Sequence, residues 1–171
     1  MTAPKNLFKK YPNSIFVETG TYLGDGVQMA LDADFKTVYS IEIRPEYMDQ
    51  TTERFKGMDN VHLICADSHL VLDELLSKIN EPITFWLDSH LCGGACSIAK
   101  YDSPLIQELE AIGRHHVKTH TIIIDDLRLW NLETYGFNID ILKKKILEIN
   151  PSYTFLLEEG FVINDILVAK I

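Results

Sequence analysis

Acidic residues follow five short apolar runs of the chain, and carboxylates in such positions can bind cations, metal ions or hydroxyl groups. They are Glu18, Glu42, Asp67, Asp88 and the pair Asp125-Asp126. A single acid after a strand often only caps the next helix. Five in succession instead indicate one ligand-binding edge, because the carboxyl ends of parallel strands meet at one edge of a sheet.

The first acid begins a glycine-containing turn, Glu18-Thr19-Gly20-Thr21, which continues to Gly24. Gly20 is expected to make the tight turn after the strand, and Gly24 to let the next helix approach a ligand. The spacing G-x-x-x-G differs from the G-x-G-x-x-G of dinucleotide sites, and no lysine follows as in a P-loop. An acid before the glycines would repel a pyrophosphate, so the turn suits a cationic amine or sulfonium. A βα turn without a ligand is the alternative.

Two later acids are suited to bind the ribose and the base of a nucleoside. Glu42, followed by Ile43, ends the second predicted strand and can accept from both hydroxyls of a ribose. Asp67 and Ser68 end the third predicted strand and can accept from an adenine amino group. Together with Glu18, these residues outline a nucleoside with a cationic tail.

The elements that position these residues alternate between short β-rich runs and longer amphipathic stretches. Strands are predicted over 14–17, 37–41, 61–65, 83–87 and 121–124, and helices over 27–33, 45–56, 68–76 with Ser68 as N-cap, from Ser103-Pro104 onward, and over 139–149. Residues 153–157 and 166–171 predict a closing antiparallel pair. This order predicts an α/β fold with a doubly wound, mostly parallel sheet and helices on both faces.

Composition limits the possible functions. The 171 residues, 46% hydrophobic and 24% charged, indicate a single globular domain over 1–171. The net charge of −9 argues against a nucleic-acid partner. Apolar runs are too short to span a membrane, and no secretory signal is visible. Three cysteines cannot all pair in disulfides, which favours a cytoplasmic, intracellular protein. Cys65 lies in a predicted strand and is expected in the core.

The ordered set of motifs resembles the class I S-adenosylmethionine-dependent methyltransferases, over nearly the whole chain from residue 16 to 171. The resemblance consists of the E-x-G-x-x-x-G turn at Glu18, the acids Glu42 and Asp67, and an antiparallel last strand. It implies S-adenosylmethionine as cofactor, with its methionine part, ribose and adenine at those three positions. The residues implied beside the cofactor are Glu18, Thr19, Gly20, Thr21, Gly24, Glu42, Ile43, Asp67, Ser68 and Asp88.

Two further segments, Trp86-Leu-Asp88-Ser-His90 and Ile122-Ile-Ile-Asp125-Asp126, are similar to the macrocin-type sugar O-methyltransferases and their cephalosporin-hydroxylase-like relatives. The similarity implies a divalent ion on Asp88, Asp125 and Asp126, for which Mg²⁺ suits an all-carboxylate set. It also implies methylation of a sugar or glycan hydroxyl. Those enzymes carry lid segments that this chain almost entirely lacks. The alternative for the pair is a turn cap with Asp126 facing solvent.

The acceptor proton needs a base, and Asp88 and His90 are both candidates. His90 is alternatively a metal ligand or an ordinary loop residue, and a zinc site with Cys92 and Cys96 would have only three ligands. Trp130 and Tyr135 either stack on a sugar ring or pack within their loop. The histidines His115, His116 and His120 fall at the opposite edge of the sheet, where no function is expected.

Other functions stay open at this point. The acceptor is a sugar hydroxyl or another small-molecule hydroxyl of the catechol type, and a non-catalytic module that retains the fold is a further alternative. With so little lid, a second subunit in a homo-oligomer is a candidate to complete the pocket.

Overall fold

The computed structural model describes residues 4–89 and 103–171, which form a seven-stranded sheet with helices on both faces. The strands are β1 (Ile15–Thr19), β2 (Thr37–Glu42), β3 (Val61–Cys65), β4 (Ile83–Leu87), β5 (Thr121–Ile124), β6 (Thr154–Glu158) and β7 (Ile166–Lys170). The helices are α1 (Asp25–Asp32), α2 (Pro45–Arg54), α3 (Ser68–Leu76), α4 (Leu105–Arg114), α5 (Leu132–Tyr135) and α6 (Ile139–Ile149), with a 3-10 turn at Phe8–Lys10. His90, Cys92 and Cys96 lie outside the described residues.

The strand order is β3-β2-β1-β4-β5-β7-β6. The first five strands are parallel, and β7 enters antiparallel between β5 and β6. The strand order reverses between β1 and β4, which is where ligands bind in open α/β sheets. The predicted doubly wound sheet with an antiparallel closing pair is therefore confirmed.

Alternating side chains of the strands supply a hydrophobic core on each face of the sheet. On one face, Phe85 and Leu87 of β4 pack with apolar residues of α3, α4 and α6. On the other face, Trp86 packs against Phe8 and Phe16, with ring centroids of Phe8 and Trp86 5.2 Å apart. Both faces of the central strands β1, β4 and β5 are buried, and these strands are nearly continuous apolar runs, as is typical of buried parallel strands.

Several local predictions are wrong in detail. Strand β1 extends to Thr19, so Glu18 lies inside the strand rather than in the turn. Helix α3 begins at Ser68, so the N-cap position belongs to Asp67. Helix α4 begins at Leu105, so Pro104 occupies the N-cap position rather than the first helical position. The short helix α5 was not predicted. Cys65 is exposed rather than in the core, because β3 is an edge strand.

No helix among the described residues is long and apolar enough to cross a membrane.

Candidate functional site

Glu18 is a fully buried carboxylate at the ligand edge of β1. The Ser40 hydroxyl donates to its Oε2 at 2.5 Å, and the Thr21 Oγ1 lies 2.6 Å from Ser40 Oγ. Its Oε1 has no hydrogen-bond partner among the residues that the structure describes. Burial raises the pKa of Glu18 to about 8, and the charge of Glu42 adds to the effect. An unpartnered buried oxygen in this position fits a hydrogen-bond donor or a cation.

Glycine is needed at positions 20 and 24 for different physical reasons. Gly20 has a φ of +88°, and a Cβ on it would lie 2.6 Å from the backbone oxygen of Asp88. Gly20 therefore allows the ends of β1 and β4 to touch. Gly24 has a φ of +82°, and its Cβ would lie 2.6 Å from the ring of Phe55. Close packing at the end of α2, rather than the approach of a ligand, accounts for glycine at position 24.

Both carboxylate oxygens of Glu42 accept hydrogen bonds from backbone N–H groups. Its Oε2 accepts from the Tyr22 N–H at 2.8 Å, and its Oε1 accepts from the Arg44 N–H at 2.9 Å. Each carboxylate oxygen can accept two hydrogen bonds, so each retains a lone pair for a ligand hydroxyl. The two turns after β1 and β2 thereby hold Glu42 in place. Ile43 follows it directly and is half-buried.

The acid that follows β3, Asp67, contacts a histidine. The Asp67 Oδ1 lies 2.8 Å from His69 Nδ1, and both side chains are mostly buried. His69 therefore contacts Asp67, the acid expected on the adenine side. Ser68 does not act as a cap, because its hydroxyl donates to Glu108 at 2.5 Å.

Glu108 is a site residue that the sequence analysis missed. It lies in α4 and is fully buried, and its Oε1 accepts from Ser68 and from Ser89, the latter at 2.8 Å. Its Oε2 has no hydrogen-bond partner among the described residues. Burial raises the pKa of Glu108. The feature of the sequence that could have identified Glu108 is its position in the apolar stripe of α4, one residue before Leu109.

Three acids meet at the ends of β4 and β5. Asp88, Asp125 and Asp126 each offer an oxygen, and these oxygens lie within 4.8 Å of one another. Asp125 and Asp126 are buried, so Asp126 does not face solvent as in the turn-cap alternative. Burial, and then the charges of Asp125 and Asp126, hold the pKa of Asp88 well above its usual range.

This acidic triad (Asp88, Asp125 and Asp126) fits a hard divalent ion. Oxygens that bind a Mg²⁺ ion at 2.0–2.1 Å are about 3 to 4 Å apart, and a Ca²⁺ site is wider. A contraction of about 1 Å would therefore bring the three oxygens to a common ion. The ion would also remove the repulsion between the carboxylates.

Arg128 contacts one member of the triad. Its Nη1 donates to Asp126 Oδ1 at 2.5 Å and also to Asp165, a buried acid just before β7. Asp126 has a φ of +59°, and its N–H donates to Asp125 Oδ1 at 2.8 Å. Asp126 is therefore partly neutralised by a guanidinium, and an ion would share this carboxylate with Arg128.

Trp130 belongs to the core rather than to an open binding surface. It is 6% exposed, and its ring centroid lies 4.9 Å from that of Tyr135 and 5.3 Å from that of Phe137. Its indole N–H donates to the Asp125 backbone oxygen at 3.0 Å. The packing alternative is thus correct for Trp130, which steadies the backbone that carries Asp125.

Comparison with known proteins relates this chain to others by its fold alone. No protein-family model matches it, and neither does any curated protein. An O-methyltransferase from Bacillus cereus in complex with SAH is similar in structure, with a TM-score of 0.65, 15% identity, and coverage of 98% of this chain and 78% of that one.

Two further solved structures are similar. An SAH-bound methyltransferase from Podospora anserina has a TM-score of 0.61, 15% identity, and coverage of 92% of this chain and 71% of that one. An rRNA methylase from Streptococcus thermophilus has a TM-score of 0.60, 15% identity, and coverage of 97% and 92%. The fold is that of the S-adenosylmethionine-dependent methyltransferases.

Within this methyltransferase fold, the described residues predicted to bind cofactor or metal fall at the ligand edge of the sheet. Glu18 and Thr19 end β1 and Gly20 follows them, Glu42 ends β2, and Asp67 and Ser68 lie at the start of α3. The acidic triad lies beside them, joined through the contact of Gly20 with Asp88. Their roles toward a cofactor, and that of His90 as a base, stay predictions.

Proposed function

We propose that this protein is an S-adenosylmethionine-dependent O-methyltransferase that acts, with a divalent ion, on a sugar or glycan hydroxyl. One observation carries the proposal: acidic side chains at the ends of five neighbouring strands, most of them buried, converge at the ligand edge of a methyltransferase fold. Bound there, the cofactor supplies a methyl group on a cationic sulfur. The acids suit that positive charge.

Each acid has a place in cofactor binding. Glu42, held by two backbone N–H groups, accepts from the ribose hydroxyls with its remaining lone pairs. Glu18 offers its unpartnered Oε1 to the methionine part, and Asp67 lies on the adenine side. The close contact between Gly20 and the Asp88 backbone keeps these cofactor-binding residues next to the acidic triad.

The acceptor hydroxyl must lose its proton during transfer. With a water-like pKa of about 15.7, complete deprotonation at pH 7 costs on the order of 12 kcal/mol. Asp88, Asp125 and Asp126 would hold a divalent ion, which would lower the pKa of the acceptor hydroxyl. Asp88 and His90 are the candidates to receive the proton. Because neighbouring hydroxyls can chelate an ion, sugars with vicinal hydroxyls suit the site, and catechol-type diols are the alternative.

One observation favours a different acceptor. An rRNA methylase is among the similar structures. The net charge of −9 opposes a nucleic-acid acceptor, because a phosphate backbone is repelled by an acidic surface. Ribosomal RNA therefore ranks below a sugar, and it belongs in any acceptor screen.

The first test is calorimetric binding of S-adenosylhomocysteine. We expect micromolar affinity that Glu42→Ala weakens at least tenfold, because two ribose hydrogen bonds are lost. Glu46→Ala is the matched control, since Glu46 is an exposed acid at the start of α2. A chain that binds no S-adenosylhomocysteine would be a non-catalytic module with a methyltransferase fold.

The second test separates the acceptors. Methyl transfer from labelled S-adenosylmethionine to methyl glycosides, catechol and ribosomal RNA is measured with Mg²⁺ and with EDTA. We expect transfer to a glycoside that EDTA and Asp125→Asn abolish. Transfer that persists in EDTA would contradict the metal, and transfer to catechol or RNA alone would contradict the sugar acceptor.

A further inference from the structure

The edge of the sheet formed by β6 is unusually apolar. Among the strands that the structure describes, β6 lies last in the sheet and pairs with β7 on one side only. Leu156 and Leu157 are 44% and 45% exposed. The opposite edge strand, β3, carries no large exposed apolar side chain among its residues, since Leu63 and Ile64 pack against the core.

The pattern of exposure indicates the kind of partner. Leu156 and Leu157 are consecutive, so their side chains point to opposite faces of the sheet. A helix docked on one face would cover only one of them. A strand added to the edge would cover both and would also pair the free backbone groups of β6. Exposed edges are normally protected by lysine, proline or a bulge, and β6 contains neither lysine nor proline.

The sequence of β6 is complementary to itself in antiparallel pairing. With the two-fold axis at Leu156, this residue faces its own copy, Phe155 faces Leu157, and Thr154 faces Glu158. No like charges are opposed, and the Glu158 carboxylate is already bound by Lys10 at 2.7 Å and by the Tyr11 hydroxyl at 2.6 Å. A second copy of this chain therefore meets the chemical requirements of the edge.

We propose that the protein forms a two-fold dimer through antiparallel pairing of the β6 edges, which joins two seven-stranded sheets into one. Strand β6 runs parallel to β5, so the two ligand edges point in opposite directions. Neither site is covered by the partner. The dimer is independent of the proposed methyl transfer.

The first experiment is sedimentation equilibrium of the full chain from low to high micromolar concentration. We expect a dimer whose dissociation constant rises at least tenfold in Leu156→Lys, because two lysines would meet at the axis. Leu70→Lys is the matched control, since Leu70 is 70% exposed on α3, away from the edge, and the charge change is the same. Thermal melting verifies that both variants fold. A wild-type monomer, or a dimer unaffected by Leu156→Lys, would overturn the proposal.

A second experiment tests the register. In Leu156→Cys the introduced thiols of two copies lie directly opposite, so mild oxidation is expected to cross-link most of the dimer. Leu157→Cys faces Phe155 of the partner and is expected to cross-link far less. Oxidised wild type controls for the native cysteines, including the exposed Cys65. Equal cross-linking of both variants would contradict pairing about Leu156.

Discussion

Gly20 meets two requirements at once, a positive φ and the absence of a side chain. We predict that Gly20→Ala lowers the free energy of unfolding by about 2–4 kcal/mol, through backbone strain and the clash with Asp88. It is also expected to abolish binding of S-adenosylhomocysteine, because Asp88 and the turn must separate. Urea unfolding and calorimetry measure the two effects.

Gly57→Ala is a matched control for Gly20→Ala. Gly57 has a φ of +83°, but a Cβ there would meet nothing within 4 Å. Only the strain remains, so a loss of about 1 kcal/mol with unchanged ligand binding is expected. Equal effects of the two substitutions would show that the contact with Asp88 is unimportant.

Glu108 connects the segments that follow β3 and β4 through one buried carboxyl group. Glu108→Ala is predicted to lower the free energy of unfolding by about 2–4 kcal/mol, since it leaves a cavity and removes the acceptor of the buried Ser68 hydroxyl and of the partly buried Ser89 hydroxyl. Glu108→Gln keeps an acceptor oxygen and should cost about 1 kcal/mol.

Glu110→Ala is the control for Glu108→Ala. Glu110 lies on the same helix but is exposed and forms only a surface ion pair with Lys145 at 3.1 Å, so its loss should cost less than about 0.5 kcal/mol. Denaturation curves of these variants give the comparison. A cost for Glu108→Ala as small as that of Glu110→Ala would remove Glu108 from the site.

Individual acids of the site were predictable, but their partners were not. Asp88, Asp125 and Asp126 follow strands that adjoin in a doubly wound sheet, so their meeting follows from chain order. Glu108 was not predictable, because its partners come from other elements and helix periodicity alone places it in the core. The guanidinium of Arg128 on Asp126 likewise depends on where β7 enters the sheet.

At the scale of elements, the alternation of strands and helices predicted the sheet because each apolar run was short and ended at an acid. The boundaries were less predictable. Strand β1 gains Glu18 and Thr19 through pairing with β2 and β4, a tertiary effect that the local sequence does not carry. Helix α5 has only four residues, too few for a periodic signal.

Two buried histidines join the starts of β4 and β5 to the segment that follows α3. The Ile83 N–H donates to His120 Nδ1 at 3.1 Å, so the His120 proton lies on Nε2, which donates to His115 Nδ1 at 2.9 Å. The proton of His115 then lies on Nε2 and is donated to the Ile79 carbonyl at 2.9 Å. Both rings are neutral in this chain of hydrogen bonds.

This chain of hydrogen bonds predicts a loss of stability in acid. Burial, with the charges of His115, Lys118 and His116, lowers the pKa of His120 to about 4. The unfolded chain, with an ordinary histidine pKa near 6.5, therefore binds a proton first as pH falls. Neutral His120 therefore makes its full contribution to the free energy of unfolding above about pH 6.5. This contribution falls by about 3 kcal/mol as the pH decreases to about 4.

The measurement is the free energy of unfolding between pH 7 and 4.5 for wild type and His120→Gln. We expect a shallower decline in the variant. Glu18, with a pKa raised to about 8, titrates in the opposite sense but contributes to both proteins and cancels in the difference. His62→Gln, in the exposed edge strand β3, is the control and should retain the wild-type slope. Identical slopes for all three proteins would mean that the fold does not lower the pKa of His120.

At the scale of the whole molecule, the acidic triad adds to a net charge of −9. We predict that millimolar Mg²⁺ raises the melting temperature by several degrees, because an ion that binds only the folded state stabilises it. Asp125→Asn should abolish this rise. NaCl at matched ionic strength controls for general screening of the negative charge. A rise that NaCl reproduces would argue against a bound ion.

The pairing of β1 with β4 has a consequence for the time course of folding. It places Ile15 beside Ile83, so the ligand edge joins segments that are far apart in the chain. Such long-range pairings form late, since closing the intervening loop must precede their contacts. A ligand of this edge finds no binding site in earlier, partly folded chains. S-adenosylhomocysteine is therefore expected to slow unfolding while leaving the rate of folding almost unchanged.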